Sequence, residues 1–362
     1  MDESAGPVAR PTRLSDVARH AGVSVKTVSN VVNGYLHVSP DTRAKVDRAL
    51  TELDYRPNLA ARNLRQGRSG IVALAVPDLE VPYFAEVAVH LVRAARARCW
   101  TVLIDQTDGD LDREQLAIEN FGTRLVDGLV LSPIASGVPE LAGRRSTTPM
   151  VLLGERVYDG PHDHVSIDNV AAASDAVRHL LELGCRRVAA VGQQSFASAA
   201  TARLRVRGYQ QALRSHGVPA DPDLVVTTSA FTRDEGSAAV DRLLALDRPA
   251  DALFCFNDLL ALGALRRLHE RGVRVPGEVA VVGMDDIEDG RYSVPTLTTV
   301  RPGKQRIAEI AMDLLAERIE AQHAGGPTGG VAAGSAGREV TAPYDLVVRE
   351  STSGAAPSGQ RP

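Results

Sequence analysis

Four polar side chains near the start of the chain recur at helical spacing: Lys26, Ser29, Asn30 and Asn33. On a helical wheel drawn from Val25 to Asn33 they fall on one side, and the opposite side carries Val28, Val31 and Val32. Amide and ammonium groups can donate hydrogen bonds to the acceptors that base pairs present in a DNA groove. This segment therefore predicts a helix that packs with one face and can contact DNA with the other.

The flanking residues predict the elements that would position this helix. A helix from Leu14 to Ala21, a turn at Gly22 and a second helix capped by Ser24 form a helix-turn-helix pattern. Short patterns of this kind are common by chance, so this pattern taken alone is better explained as a helical hairpin with a solvated polar face. A third helix begins at Ser39-Pro40-Asp41, where a capping hydroxyl precedes a proline. It supplies the apolar residues Ala44, Val46, Leu50 and Leu53 for a small core.

Residues 12 to 67 resemble the DNA-binding headpiece and hinge of the lactose-repressor/galactose-repressor family of bacterial transcription regulators, and the resemblance extends to about Arg349. It implies that Val25, Lys26 and Asn30 face base edges in the major groove, and that Thr27, Ser29 and Asn33 lie near phosphates or bases. It also implies that Leu64, in the hinge, enters the minor groove as an apolar wedge.

One position departs from the family pattern. Arg13 stands where the family usually has Ser or Thr at the start of the first helix, and Thr12 is the alternative cap.

Charge and composition agree with a regulator that binds DNA inside the cell. Residues 1 to 66 hold ten Lys and Arg against seven Asp and Glu, so the remainder of the chain carries a net charge of −7. The sequence shows neither a signal-peptide pattern nor an apolar run long enough to span a membrane, which predicts a cytoplasmic protein. Three widely spaced cysteines argue against a disulfide or zinc framework.

After Gly67 the pattern changes to alternating strands and helices, which predicts two α/β units in series. Apolar runs predict strands over Ile71–Val76, Thr101–Ile104, Gly128–Leu131, Met150–Leu153, Arg187–Val191, Leu224–Thr228, Ala252–Cys255 and Val279–Gly283. Many α/β enzymes share this pattern, so it gives no function by itself. The resemblance implies a two-lobed sensor like the periplasmic binding proteins, in which the chain crosses between the lobes.

The predicted fold is thus an all-α helix-turn-helix headpiece followed by an α/β two-lobed periplasmic-binding-protein-like sensor domain. The expected boundaries are a headpiece over 12–56, a hinge over 57–69, an effector-binding and dimerisation domain over 70–350, and a disordered tail over 351–362. The crossings are expected near Asp168, near Leu297 and in the Gly/Ala-rich stretch 324–337.

The resemblance marks Arg205, Asn257 and Asp285 as effector contacts in the cleft between the lobes. Guanidinium, amide and carboxylate groups suit a polyhydroxylated ligand, so a carbohydrate is the expected effector. The alternative is a structural polar network at the strand ends. Tyr83 and Phe84 match an aromatic pair that packs on a sugar ring, although core packing explains two aromatics at a helix start equally well.

Three departures bear on the effector. Val81 stands where many sugar-binding relatives have Asn, and Glu155 is either a replacement carboxylate or an exposed residue. Lys304 could reach a ligand, but a lone lysine is more often solvated. The sequence leaves the identity of the effector open.

The sequence lacks a phosphate-binding loop, an HExxH zinc motif and a nucleophile elbow, so no enzymatic activity, cofactor or metal is expected. His162-Asp163-His164 is interpreted as a surface segment rather than a metal site.

The predicted function is a homodimeric repressor that binds pseudo-palindromic operator DNA and releases it when a small molecule binds. The helix from Tyr83 to Ala97 is expected to offer an apolar dimer surface, and the tail is not expected to form a tetramer. The alternative function is a solute-binding or sugar-processing protein with a non-functional headpiece.

Overall fold

The computed structural model describes residues 12–32, 35, 37–55, 68–121, 125–154, 160–195, 200–324 and 337–353. The chain forms two compact units, Met1–Arg68 and Ser69–Pro362. We call them the headpiece and the sensor and describe each by itself. Most of the predicted hinge lies outside the described residues.

The described residues of the headpiece form three helices, α1 (Leu14–Ala21), α2 (Val25–Val32) and α3 (Pro40–Glu52). All three contribute to one small core, formed by Val17, Ala18, Val28, Val31, Val46 and Ala49. Ala44, which the sequence placed in this core, is exposed. It lies two residues from Val46 and therefore on the opposite side of α3, and Ala49 takes its place.

Local hydrogen bonds set the ends of these helices. Gly22 ends α1 in the left-handed region, with a φ of 66°. The Ser24 hydroxyl accepts a hydrogen bond from the backbone N–H of Thr27 at 3.1 Å, which confirms the predicted cap of α2. Ser39 caps α3 in the same way.

The start of α1 differs from the expectation. Arg13 begins the helix without a capping side chain, and the Asp16 carboxylate accepts a hydrogen bond from the Arg13 backbone N–H at 3.0 Å. The Thr12 hydroxyl instead donates to the carbonyl of Leu53 at 3.1 Å. The prediction that Thr12 caps α1 is therefore wrong, because Thr12 joins the start of α1 to the end of α3.

Two six-stranded sheets form the described part of the sensor. The first sheet is parallel throughout, with the strand order β11-β5-β4-β3-β1-β2. Its strands are β1 (Ile71–Val76), β2 (Thr101–Gln106), β3 (Gly128–Leu131), β4 (Met150–Leu153), β5 (Asp163–Ile167) and β11 (Glu339–Ala342).

The second sheet has the order β12-β10-β9-β8-β6-β7, and β12 alone runs antiparallel to its neighbour. Its strands are β6 (Val188–Gln193), β7 (Val225–Thr227), β8 (Ala252–Cys255), β9 (Ala280–Met284), β10 (Thr298–Pro302) and β12 (Tyr344–Val347). We call the lobes built on these sheets the first and the second lobe.

Helices cover both sheets. The described α-helices of the sensor are α4 (Pro82–Arg96), α5 (Leu111–Asn120), α6 (Val138–Ala142), α7 (Asn169–Glu182), α8 (Ala200–Ser215), α9 (Arg233–Leu244), α10 (Asp258–Glu270), α11 (Asp289–Tyr292) and α12 (Lys304–His323). A short 3₁₀ helix spans Pro222–Leu224. The last helix, α12, returns to the first lobe and packs against α4 and the strands β3, β4 and β5.

Two of the three crossings between the lobes differ from those predicted. The chain leaves the first sheet after β5, returns after β10 at Gly303, and crosses again at Pro343, the single residue between β11 and β12. The crossing expected near Leu297 is wrong because β10, which follows it, still pairs with β9. The stretch 324–337 is not a crossing, since α12 and β11 on either side of it both belong to the first lobe.

The crossing at Pro343 fixes how the two sheets face each other. Strand β11 runs parallel to the first sheet and ends at its carboxyl edge, and β12 begins at the carboxyl edge of the second sheet because it runs antiparallel to β10. One residue joins these two edges, and the Pro343 carbonyl accepts a hydrogen bond from the Gly303 N–H at 3.0 Å. The carboxyl edges of both sheets therefore face the same gap, where ligands of such folds bind.

The predicted tail begins too early. Ser351 and Thr352 are buried, and the Ser351 hydroxyl donates to the Val281 carbonyl at 2.6 Å. The packed part of the sensor therefore extends past residue 350, and residues 354–362 lie outside the described residues.

A close helix contact positions the carboxyl edge of the second sheet. A Cβ atom on Gly263 of α10 would overlap the carbonyl of Arg233 in α9, and one on Gly236 would overlap the carbonyl of Leu260. The two helices thus touch backbone to backbone at both points. This contact holds the start of α9 beside the start of α10.

We predict that Gly263→Ala destabilises the sensor by about 2 kcal/mol or more, because the two helix backbones must separate to admit the methyl group. Gly277→Ala is the matched control, since its Cβ would meet its nearest neighbour at 3.4 Å. Thermal unfolding of both variants measures the difference. Equal midpoints for the two variants would show that the helices can separate without cost.

Candidate functional site

The first candidate site is the outer face of α2. Val25 is 49% exposed at the start of the helix and Lys26 is exposed beside it, whereas Val28 and Val31 are buried in the core. Thr27, Ser29 and Asn30 are partly buried. This face therefore combines a cation, hydroxyls, an amide and one apolar side chain at the capped end of a short helix. Asn33 and Leu64 lie outside the described residues.

The second candidate site lies at the carboxyl edge of the second sheet, where Arg205 is buried on α8. Its Nε donates to Asn169 Oδ1 at 2.9 Å, and its Nη1 donates to the carbonyl of Phe256. Asn169 begins α7 and Phe256 follows β8. The guanidinium therefore joins the start of a helix to the end of a strand.

Asn257, which is expected to contact the effector, also has a structural role. Its Oδ1 caps α10 by accepting from the backbone N–H of Leu260 at 2.9 Å, and its Nδ2 donates to the carbonyl of Phe231 at 3.3 Å. Sequence reasoning missed Phe231, whose partly buried ring meets the Phe256 ring edge-on at 6.4 Å. The sequence signal that could have identified Phe231 is its position three residues after the predicted strand Leu224–Thr228.

Asp285 follows β9 in an unusual backbone conformation. Its φ of 117° lies in a region that residues other than glycine rarely adopt, and its N–H donates to the carbonyl of Val300 at 2.9 Å. Such strain persists only where the surrounding structure enforces it, and it is concentrated at functional sites.

A second carboxyl group, Asp258, is fully buried nearby. It accepts hydrogen bonds from the Thr299 hydroxyl at 2.6 Å and from the Ile287 N–H at 2.9 Å. Burial, together with the Asp285 charge, raises the pKa of Asp258 well above its ordinary value. Sequence reasoning missed this residue, which adjoins Asn257.

Asp286 differs from its neighbour Asp285. It forms ion pairs with Arg349 and Arg291. Burial by itself would raise the pKa of Asp286, but the hydrogen bond and charge of Arg349 outweigh burial and lower it. The two adjacent carboxylates therefore lie in different surroundings, and Asp286 is held by the protein itself.

Tyr83 and Phe84 lie in the first turn of α4, on the first lobe. Their rings are 5.3 Å apart at 71°, an edge-to-face contact, and both are partly buried. The Lys304 ammonium lies 5.9 Å from the centre of the Tyr83 ring. Lys304 is only 7% exposed, so the expectation of a solvated lysine is wrong.

The segment His162-Asp163-His164 is buried, which corrects its interpretation as a surface segment. Asp163 forms ion pairs with Arg318 and Arg338, and burial lowers the pKa of His162 to about 4. Within the described ranges, no group of three or more His, Cys, Asp or Glu residues could hold a metal ion. Nor is any helix among those residues long and apolar enough to cross a membrane.

Comparison with known proteins decides the family. Bacterial regulatory proteins of the lacI family match residues 13–58, and the periplasmic binding protein-like domain matches residues 177–352. The HTH-type transcriptional repressor CytR of Escherichia coli (strain K12) is 33% identical over 315 residues, which cover 86% of this chain and 91% of CytR. The chain belongs to the lacI family of bacterial regulatory proteins.

Two solved structures of related regulators have the same fold. The lac repressor dimer bound to operator and the anti-inducer ONPF superposes with a TM-score of 0.78 at 26% identity, covering 95% of this chain and 99% of that one. The complex of the transcriptional regulator CelR with cellobiose superposes with a TM-score of 0.67 at 30% identity, covering 94% and 100%. The predicted combination of a helix-turn-helix headpiece and a two-sheet α/β sensor is thereby confirmed.

For this lacI-family regulator, we predict that Lys26→Ala costs about 1–3 kcal/mol of operator affinity, or changes base preference, because the ammonium is expected to donate to base acceptors. Lys45→Ala, which removes the same charge from an exposed position of α3, is the control. Gel shifts with a randomised operator library measure both effects. If affinity and preference are unchanged, Lys26 does not face the bases.

Proposed function

We propose that this protein is a repressor that binds a symmetric operator and releases it when a small carbohydrate occupies the sensor. The observation that carries the proposal is the outer face of α2, which presents Val25 and Lys26 on a capped helix whose other side closes the headpiece core. Family membership supports the assignment to DNA rather than to another polyanion. Since chromosomal DNA is the target, we place the protein in the cytoplasm.

The operator follows from the way such headpieces act in pairs. Two headpieces related by a two-fold axis would bind half-sites about one helical turn apart in a pseudo-palindrome. Lys26 and Asn30 would donate to base acceptors, Val25 would contact a thymine methyl group, and Leu64 would enter a flexible step at the centre. The solved lac repressor dimer on its operator supports this arrangement.

A homodimer requires a surface on each copy, and the sensor offers exposed apolar side chains for it. The predicted helix α4 buries Val87, Ala88, Leu91 and Ala95 in its own lobe and leaves Val89 exposed. Leu103 and Ile104 are exposed on β2, which is an edge strand of the first sheet. In the second lobe, Tyr292 is 78% and Val294 is 91% exposed. We propose that these side chains contribute to the dimer surface.

We predict that Val294→Asp weakens dimerisation by about 2 kcal/mol, roughly thirtyfold in the dissociation constant, because a carboxylate would replace buried apolar surface. Leu116→Asp is the control, since Leu116 is also exposed but lies on α5. Sedimentation velocity measures both. A variant that remains as dimeric as the control would remove Val294 from the interface, and a tetramer lost on deleting residues 354–362 would contradict the proposed dimer.

The proposed effector site combines groups from both lobes at the carboxyl edges of the sheets. Arg205, Asn257 and Asp285 would hydrogen-bond the hydroxyls of the ligand, because a sugar hydroxyl both donates and accepts. Tyr83, Phe84 and the newly identified Phe231 would supply apolar ring contacts. Cellobiose in the CelR complex supports a carbohydrate as the class of ligand.

The bound effector would lower operator affinity by changing the orientation of the lobes. A coupling free energy of about 1–3 kcal/mol gives a change of roughly 5- to 150-fold. The same linkage requires that operator DNA weaken effector binding by an equal factor.

We predict that Arg205→Lys lowers the affinity for the sugar about tenfold or more while operator binding stays near normal, because lysine lacks the guanidinium fork. A panel of mono- and disaccharides that includes cellobiose is first screened by calorimetry. Arg207→Lys, on an exposed position of the same helix, is the control. Equal sugar affinity and equal operator release in the two variants would remove Arg205 from the site.

The alternative function, a solute-binding or sugar-processing protein with a non-functional headpiece, gives a different result in the gel shift. It predicts sugar binding or turnover without specific retention of any sequence in the operator library.

A further inference from the structure

Lys304 lies at a junction between the two lobes. It is the first residue of α12, directly after the crossing at Gly303. Its ammonium donates to the carboxylate of Glu86, on α4 of the first lobe, and to the carbonyl of Asp286, after β9 of the second lobe, at 3.1 Å. The other carboxylate oxygen of Glu86 accepts from the backbone N–H of Glu288 at 3.2 Å. Glu86 and Lys304 therefore tie α4 to the loop that follows β9.

Both ends of this junction adjoin proposed effector contacts. Glu86 lies one turn from Tyr83 on α4, and the Lys304 ammonium lies 5.9 Å from the Tyr83 ring. On the other lobe, Asp286 directly follows Asp285. A ligand that moved Tyr83 relative to Asp285 would have to move the two partners of Lys304 as well.

The second-lobe end of the junction is held firmly. Asp286 is paired with Arg349 and Arg291, so its carbonyl is fixed relative to the second sheet. The Glu86 side chain is 33% exposed. It borders an open cavity of about 460 Å³ together with His90, Arg306 and Glu309. Movement between the lobes would therefore separate Lys304 from the Asp286 carbonyl and Glu86 from the Glu288 N–H, and admit water to the ammonium.

We infer that Glu86 and Lys304 form a clamp that fixes the orientation of the two lobes and thereby sets operator affinity before any effector binds. The regulatory half of this inference rests on the proposed function. The clamp is electrostatic, because a nearly buried ammonium requires a nearby negative charge. Breaking the clamp imitates the effector by allowing the lobes to reorient.

The first experiment measures the orientation of the lobes without DNA or sugar. Spin labels are attached to Cys99, exposed in the first lobe, and to an Asp247→Cys substitution at an exposed position of the second lobe, since Cys185 and Cys255 are buried. Dilution with an excess of unlabelled Cys99→Ser chains leaves one labelled copy per dimer. Pulsed electron resonance then gives the distribution of interlobe distances.

We expect Glu86→Gln to shift or broaden this distribution. Lys304→Arg should preserve it, because arginine keeps the charge and the donors. Glu309→Gln is the matched control, since it removes one negative charge from the same cavity without contacting Lys304. A distribution for Glu86→Gln that is identical to that of the unchanged protein would overturn the clamp.

The second experiment measures operator affinity by gel shift, with the palindrome that the unchanged protein selects from the randomised operator library. Glu86→Gln should weaken binding about tenfold, within the range of allosteric coupling, while Lys304→Arg and Glu309→Gln bind normally. Altered lobe distances with unchanged operator affinity would overturn the regulatory role of the clamp. If the unchanged protein itself retains no specific DNA, the proposed function fails instead, whatever the distances show.

Discussion

The single-residue crossing at Pro343 is the constraint on which the sensor depends. It joins the last parallel strand of one sheet to β12, which runs antiparallel to its neighbour in the other sheet, so both carboxyl edges must face one gap. The hydrogen bond from the Gly303 N–H to the Pro343 carbonyl connects this crossing to the one at Gly303, where the chain returns to the first lobe. Each sheet takes an edge strand from the segment on one side of Pro343, so neither six-stranded sheet is complete without this crossing.

What the sequence predicts well is local. The caps at Ser24 and Ser39 and the turn at Gly22 involve hydrogen bonds and dihedral angles within a few residues, so the pattern alone suffices to place the headpiece helices. Apolar runs identify the central strands for the same reason. The strand Thr298–Pro302 contains two threonines, an arginine and a proline, and it is a strand because β9 and β12 pair with it. The error in the crossing predicted near Leu297 follows from that long-range pairing.

In the candidate effector site, too, the sequence indicates individual residues but not the long-range contacts between them. The family resemblance locates Arg205, Asn257 and Asp285, but it does not reveal that Asn257 also caps a helix and that Arg205 bonds to Phe256. A lone lysine is usually solvated, so the sequence predicts Lys304 in solvent. Its partner Glu86 lies 218 residues away in the sequence. No pattern of spacing reports such a pair. Only the fold, which returns α12 to the first lobe, brings the two together.

The structural tasks of these side chains have a consequence for binding. A guanidinium already oriented by Asn169 and Phe256, and an amide already oriented by a helix start, lose little conformational freedom when a ligand arrives, so more of the contact free energy is available for affinity. The strained backbone of Asp285 and the buried Asp258 beside it show that the second-lobe loop is held in one arrangement by its surroundings. If that wall of the cleft is rigid and the wall formed by α4 meets it through the contacts of Glu86 and Lys304 with the loop after β9, ligand binding will be relayed mainly as a movement of the first lobe.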